Sequence, residues 1–123
     1  MPAATSSPNR AGLASALRFV TELVAWVATP WALAGMSWLL AAASLVVLVG
    51  LPTVFATPGD KPQVIVPVAG PLTIALVVLQ LVAATVSSWL AWPWVAAVAV
   101  SVLVVATVIA ELPRWRWLAT ERP

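Results

Sequence analysis

The sequence predicts an all-α integral membrane protein, built as a bundle of four transmembrane helices over residues 13–112. Hydrophobic residues make up 63% of the 123-residue chain, and charged residues only 8%. A soluble domain carries about 25% charged residues, because its surface faces water. The apolar residues also fall into four runs, each close to the ~20 residues that cross ~30 Å of hydrocarbon. We therefore expect a single domain that is dissolved in lipid.

Composition also excludes several classes of function. The chain has no Cys and no His, which removes thiolate chemistry, disulfides and the commonest ligands of metals and haem. We therefore expect no cofactor and no metal site. A net charge of +2 is too small to indicate nucleic acid as a partner. The expected partners are the lipid bilayer and, within it, other membrane helices or further copies of the chain.

The first helical hairpin is predicted from the N-terminal half of the chain. Residues 1–12 are polar and rich in Ser, Pro and Ala, which is typical of a flexible tail. The first span covers Leu13–Ala34, and Gly35 is suited to ending it. The second span covers Trp38–Phe55, with Ser37 in position to cap its first turn.

The second hairpin follows a short loop. The segment 57–60 reads TPGD and predicts a turn with Pro and Gly at its two central positions. A third span covers Pro71–Ala91, since proline suits the first turn of a helix. The fourth span begins at Pro93 and runs to Leu112, where the next residue, also proline, is expected to end it. Residues 113–123 then form a C-terminal tail.

Two segment ends allow a second interpretation. Arg18, the apolar stretch after it and residues 32–34 (ALA) resemble a signal peptide that ends in an A-x-A cleavage site; Glu22 inside the apolar stretch opposes this. Residues 64–68 could extend the third helix or form a short strand. The many β-branched residues of the fourth span favour strands in water, but a run of ~20 residues without turn signals is a helix in lipid.

The basic residues predict the orientation of the bundle. Four spans place the N-terminal tail, the loop near residue 60 and the C-terminal tail on one side. All six basic residues belong to that side: Arg10, Arg18, Lys61, Arg114, Arg116 and Arg122. The two outer turns have none. Because positive loops stay in the cytoplasm, we expect a multi-pass cell-membrane protein with both termini cytoplasmic.

Tryptophan supports the same orientation, since its amphipathic ring prefers the membrane interface. Five of the eight tryptophans cluster at the outer turns, namely Trp31, Trp38, Trp89, Trp92 and Trp94. Trp115 and Trp117 lie beside two arginines at the predicted inner interface. We interpret these residues as membrane anchors.

An internal repeat relates the two hairpins. Residues 22–25 (ELVA) align with residues 80–83 (QLVA) at an offset of 58, and Trp31 aligns with Trp89 at the same offset. Glu22 and Gln80 therefore lie at similar depths, each about 13 Å along a helix from an interfacial tryptophan. A parallel repeat of two hairpins follows as an expectation.

The candidate site is a small set of polar residues inside the membrane. Glu22 is costly in hydrocarbon, so it should face protein or water. It either fixes helix packing together with Arg18, one turn away, or serves as a proton or ligand site. Gln80 is expected to face the bundle interior near Glu22. Glu111 and Arg114, spaced i and i+3, predict an ion pair at the inner interface.

Residues 17–23 (LRFVTEL) resemble a motif of the YrdB-like family, small bacterial four-helix membrane proteins of unknown function. That family shows Leu-Arg-Phe-x-x-Glu-Leu in the first helix and a related Arg-x-x-x-Glu-Leu in the third. The first form is intact here, whereas Leu76 and Gln80 replace the Arg and Glu of the second. The resemblance implies a bacterial inner-membrane bundle and no particular activity, and the altered third helix weakens any role for paired carboxylates.

Three functions fit these features to different degrees. The best is an accessory or structural membrane component. The alternative is a small proton-coupled transporter that uses Glu22, since the chain is similar in size to the small multidrug resistance family. Those transporters often insert in both orientations, which the one-sided charge distribution here opposes. An enzyme fits least, because the sequence contains no recognisable triad or metal cluster.

Overall fold

The computed structural model describes residues 8–60 and 64–121, with side chains from residue 12 onward. Most of this chain is helical. The described elements, in order, are α1 (Pro8–Ala34), α2 (Trp38–Val54), β1 (Phe55–Ala56), β2 (Val66–Pro67), α3 (Gly70–Ala91) and α4 (Trp94–Leu118). The all-α prediction is confirmed.

Local sequence signals explain where the helices begin. The Ser37 side chain accepts a hydrogen bond from the Leu39 N–H at 3.2 Å, and so caps α2. Pro71 occupies the first turn of α3, where its missing N–H costs nothing. α1, α3 and α4 are long and apolar enough to cross a membrane, while α2 is a shorter apolar helix of 17 residues.

Two boundaries differ from the prediction. α1 begins at Pro8, so the helix includes part of the predicted tail 1–12. α4 does not end at Leu112; it continues through Pro113 to Leu118. Proline removes one backbone hydrogen bond, but tertiary contacts beyond it hold the helix: Arg114 forms ion pairs and Leu118 is fully buried.

The loop between α2 and α3 is tied at both ends. The Asp60 N–H donates to the Thr57 carbonyl at 3.0 Å, and Gly59 has a φ of 91°. A positive φ at the third position is the signature of a type II turn and favours glycine. Further on, β2 pairs in parallel with β1, so the short-strand interpretation of residues 64–68 is confirmed. Lys61 lies outside the described residues.

The four helices do not pack equally. α1 contacts each of the other three, and its most extensive interface is with α3. The end at which α1 begins and α4 ends is named the inner end, and the opposite end the outer end. At the inner end the Gly70 N–H donates to the Glu121 carbonyl at 3.0 Å. A Cβ on Gly70 would overlap the Leu118 carbonyl group, so this close approach requires glycine.

Burial is inverted relative to a soluble protein. The fully buried positions include small residues such as Ala25, Ala28 and Ala84, and polar ones such as Thr107 and Glu111. Large apolar side chains on all four helices point outward instead, for example Val27, Val46, Leu90 and Ile109. Exposed apolar surface on this scale marks a surface that faces lipid or another protein.

Candidate functional site

A cavity lined by both polar and apolar side chains lies at the inner end of the bundle, between α1, α3 and α4 and next to the last turn of α2. Its volume is about 80 Å³. The polar side chains that line it are Arg18, Thr21, Glu22, Thr73, Gln80 and Arg114. This space, named the inner cavity, contains all three members of the predicted intramembrane site, Arg18, Glu22 and Gln80.

Glu111 connects the two arginines of the cavity. Its side chain is 0% exposed, and each carboxylate oxygen accepts one hydrogen bond. Arg18 Nη1 donates to Oε1 and Arg114 Nη1 donates to Oε2, both at 3.0 Å. The predicted pair of Glu111 with Arg114 is therefore present, and Arg18 extends it across to α1. A buried carboxylate needs such partners, because an unpaired charge is expensive away from water.

Arg114 also binds Asp60 through two parallel hydrogen bonds. Nε donates to Oδ1 at 2.8 Å, and Nη2 donates to Oδ2 at 2.5 Å. This two-pronged geometry is the strongest arrangement available to an arginine and a carboxylate. The type II turn positions Asp60 for this contact with Arg114, because Asp60 is the last residue of the turn. The loop after α2 is thus fastened to α4.

Glu22 lies at the other end of this chain of charges. The distance from its Oε1 to Arg18 Nε is 3.7 Å, within ion-pair range but longer than a good hydrogen bond. Its side chain retains 20% exposure and lines the inner cavity. Arg18 therefore lies within ion-pair reach of both Glu22, as predicted, and Glu111.

Gln80 supplies a hydrogen-bond donor that α2 lacks because of Pro52. Proline at position 52 has no N–H to donate to the carbonyl of residue 48, four residues earlier in the helix. Gln80 Nε2 donates to that Leu48 carbonyl at 2.6 Å instead. An unpaired carbonyl in hydrocarbon is costly, so this side chain ties α3 to α2 at the point where α2 needs a donor.

The amide oxygen of Gln80 is left without a donor. Gln80 is only 2% exposed, and its Oε1 has no hydrogen-bond partner in the part of the chain that the structure describes. Glu22 and Gln80 thus line one cavity, as predicted, but among the described residues Glu22 does not donate a hydrogen bond to the Gln80 amide oxygen.

Hydroxyl pairs also join the helices. Thr21 on α1 and Thr107 on α4 are buried, with their oxygens 3.0 Å apart. Farther toward the outer end, Ser87 Oγ donates to Thr29 Oγ1 at 2.9 Å. These two residues are separated by 58 positions, the offset of the sequence repeat.

Sequence reasoning missed two of these contacts. The turn chemistry of residues 57–60 predicts no partner for Asp60, although an acid on the same side of the bundle as Arg114 is a signal for an ion pair. The contact between Gln80 and Leu48 had a signal too, because Pro52 inside an apolar helix implies a carbonyl that must find a donor elsewhere.

The chemistry that this arrangement offers is binding by charge and hydrogen bonds. No group of three or more His, Cys, Asp or Glu among residues 8–60 and 64–121 could hold a metal ion. Comparisons of the chain with protein-family models, with curated proteins and with solved structures find no match. The resemblance to the YrdB-like family therefore stays a prediction.

Proposed function

We propose that the chain is a four-span membrane protein with both termini in the cytoplasm, acting as an accessory or structural component of the membrane. The outward-facing apolar side chains carry this proposal. α2, at 17 residues, measures about 25 Å and is at the lower limit for a span. Arg18 of α1 and Thr73 in the first turn of α3 line the same cavity, which supports a crossing of the bundle by α2.

The distribution of polar residues supports the orientation. Arg18 and Arg114 meet at the inner end, whereas Trp31 and Trp92 contact each other edge to face at the outer end, with ring centroids 6.0 Å apart. Basic residues favour the cytoplasmic side and tryptophans the interface. The inner end is then cytoplasmic.

The repeat gains support from two observations. Thr29 and Ser87, equivalent at an offset of 58, bond to each other directly. Glu22 and Gln80, equivalent at the same offset, line one cavity. Residues that a twofold axis relates meet where they lie close to that axis. We therefore propose that a pseudo-twofold axis along the membrane normal, between α1 and α3, relates the hairpins.

The use of the charged side chains favours a structural role over an enzyme. Arg18, Glu111, Arg114 and Asp60 bind one another and connect α1, α4 and the loop after α2. The charged groups of this network bind one another and thereby hold the helices together. The second candidate, a proton-coupled transporter, rests on one observation: Glu22 keeps a partly exposed carboxylate in the inner cavity.

Reporter fusions test the topology. Fusions after Ala34 and at Trp92 should report the external side, and fusions at Gly59 and at the C-terminus the cytoplasm. An external Gly59 would overturn the four-span arrangement with cytoplasmic ends.

Flux measurements separate the two roles. The purified protein, reconstituted into vesicles with an internal pH dye, should show no proton flux above that of empty vesicles if it is an accessory component. A flux that Glu22→Gln abolishes, in a variant that still folds, would establish the transporter instead.

A further inference from the structure

We propose that residues 64–68, named the β2 segment, form a membrane anchor that inserts apolar side chains into the lipid interface at the inner end of the bundle. This inference goes beyond the proposed function, and it holds whichever side of the membrane the inner end faces. It rests on the exposure of the segment, on its height in the bundle and on the pairing of its backbone.

The β2 segment is a loop with the composition of a membrane span. Its residues read VIVPV, and residues 62–110 contain no charged side chain. Ile65 is 67% exposed and Val66 38%, and Pro67 is exposed as well. A loop that faces water is normally polar. Three successive apolar residues that point outward therefore mark a contact surface.

In sequence, this surface leads directly into the apolar exterior of α3. Leu72, in the first turn of the helix, is 47% exposed, and Val78 and Leu79 continue the exposed apolar surface along it. α3 is long and apolar enough to cross a membrane. The lipid that surrounds such a helix therefore also reaches the segment that precedes it.

Contacts with the end of α4 fix the height of the segment. Gly70, two residues after it, lies against Leu118 and donates to the Glu121 carbonyl, so the segment lies near the level of the last turn of α4. Trp117 in that turn is 40% exposed, and its ring packs against Gly59. Because tryptophan prefers the membrane interface, this level is that of the interface and not of the bilayer centre.

The backbone of the segment suits that level. Ala56 pairs with Pro67, and the Val68 N–H donates to the Ala56 carbonyl at 2.9 Å, so the backbone groups of Pro67 point away from β1. On this free edge another residue would present an unpaired N–H to lipid, whereas proline has none. The Pro67 carbonyl on the same edge can accept from headgroups or interfacial water, which hydrocarbon does not offer.

The loop that contains the segment is already ordered by its own contacts. The buried hydroxyls of Thr57 and Thr73 lie 2.7 Å apart, and Asp60 is paired with Arg114. Insertion of an ordered loop costs little further conformational entropy. The apolar side chains of the β2 segment are therefore presented to the interface by a fixed support.

Single-cysteine variants measure the depth of the segment, because the chain has no native cysteine. Ile65→Cys carries a nitroxide label in lipid nanodiscs, and its collision rates with oxygen, which concentrates in lipid, and with a water-soluble nickel complex are compared. Val46→Cys, on the exterior of α2, is the lipid reference, and Thr120→Cys, an exposed polar position after α4, is the water reference. The ratio of oxygen to nickel collisions at Ile65 should lie several-fold above that at Thr120. A ratio equal to or below that at Thr120 would overturn the proposal.

The unmodified chain provides a second measurement that does not depend on a variant. A phosphatidylcholine that carries a diazirine on its acyl chain, close to the glycerol, is irradiated in the same nanodiscs, and labelled peptides are located by mass spectrometry. We expect label on residues 64–68 as well as on the exposed faces of α2 and α3. Label on both helices without label on residues 64–68 would overturn the proposal and would indicate that the segment faces water or a partner protein.

The outcome for the anchor is distinguishable from the outcome for the topology. An external Gly59 in the fusion experiment would contradict the proposed orientation and would move the anchor to the other leaflet. The collision ratio at Ile65 and the photolabelling would stay the same. A water-exposed Ile65 would instead leave the fusion results in place.

Discussion

The inner and outer halves of the bundle are held together by different forces. At the inner end, a chain of ion pairs runs from Asp60 through Arg114 and Glu111 to Arg18. At the outer end, α1 and α3 approach each other through small residues, and the Thr29–Ser87 hydroxyl pair bonds directly. Ion pairs between charged groups hold the inner half, whereas small-residue packing and hydrogen bonds between uncharged groups hold the outer half.

The difference follows from what each half must accommodate. Charged groups in a membrane must be paired or hydrated, so the inner half surrounds them with partners and a cavity. Residues 23–54 and 71–110 contain no charged side chain, so the outer half can bring backbones close together, as small residues allow. Removing one group should therefore cost more in the inner half than in the outer half.

The largest effect is expected from Glu111→Leu. It leaves Arg18 and Arg114 without their shared carboxylate, and breaking a buried ion pair costs about 3–5 kcal/mol. Unfolding in mixed micelles with increasing denaturing detergent measures the loss. Arg116→Gln, at an exposed position on the same helix, is the control and should change stability by less than about 0.5 kcal/mol. Equal losses of stability in Glu111→Leu and Arg116→Gln would contradict the expectation that the buried ion pairs stabilise the inner half.

The next largest effect is expected from Gly70→Ala. The new methyl group would overlap the Leu118 backbone, and overpacking of this kind costs about 1–3 kcal/mol. Gly50→Ala in α2 is the matched control, since nothing lies within 4 Å of its Cβ position. It should gain about 0.5–1 kcal/mol from helix propensity. The same unfolding assay compares them, and a stable Gly70→Ala would show that α3 and α4 are farther apart.

A smaller effect is expected where the two halves meet. Gln80→Leu should cost about 1–2 kcal/mol, because the Leu48 carbonyl loses its donor. In a Pro52→Ala background the same change should cost about 1 kcal/mol less. A double-mutant cycle measures this coupling. Additive effects of Gln80→Leu and Pro52→Ala would contradict the inference that Gln80 replaces the N–H that Pro52 lacks.

The smallest effect is expected at the outer hydroxyl pair. Ser87→Ala removes the bond to Thr29, and bonds of this type average about 0.6 kcal/mol in membranes. Ser44→Ala, whose hydroxyl bonds only within its own helix, should change stability less. A loss at Ser87 as large as that at Glu111 would mean that the outer half also depends on directional contacts.

Sequence predicted the helices well because hydropathy and capping are local properties. The type II turn with Gly59 and the cap at Ser37 follow from neighbouring residues alone. The proximity of Arg18 to Glu22 follows from helical spacing. Three-dimensional placement was harder: the Asp60–Arg114 pair depends on how the loop folds back over α4.

The remaining misses have the same origin. Whether Pro113 ends α4 depends on contacts made by residues after it, which the local signal does not contain. The orientation of the Gln80 amide depends on the rotation of α3 relative to α2. Periodicity gives little guidance there, since helices that are apolar on every side do not indicate which face points inward.

The hydroxyl pair between Thr29 and Ser87 also bears on symmetry. If the proposed pseudo-twofold axis relates the hairpins, two identical hairpins would place the same residue on both sides of the inner cavity. A single chain with both hairpins can instead place Glu22 on one side and Gln80 on the other, which avoids the repulsion between two neighbouring carboxylates.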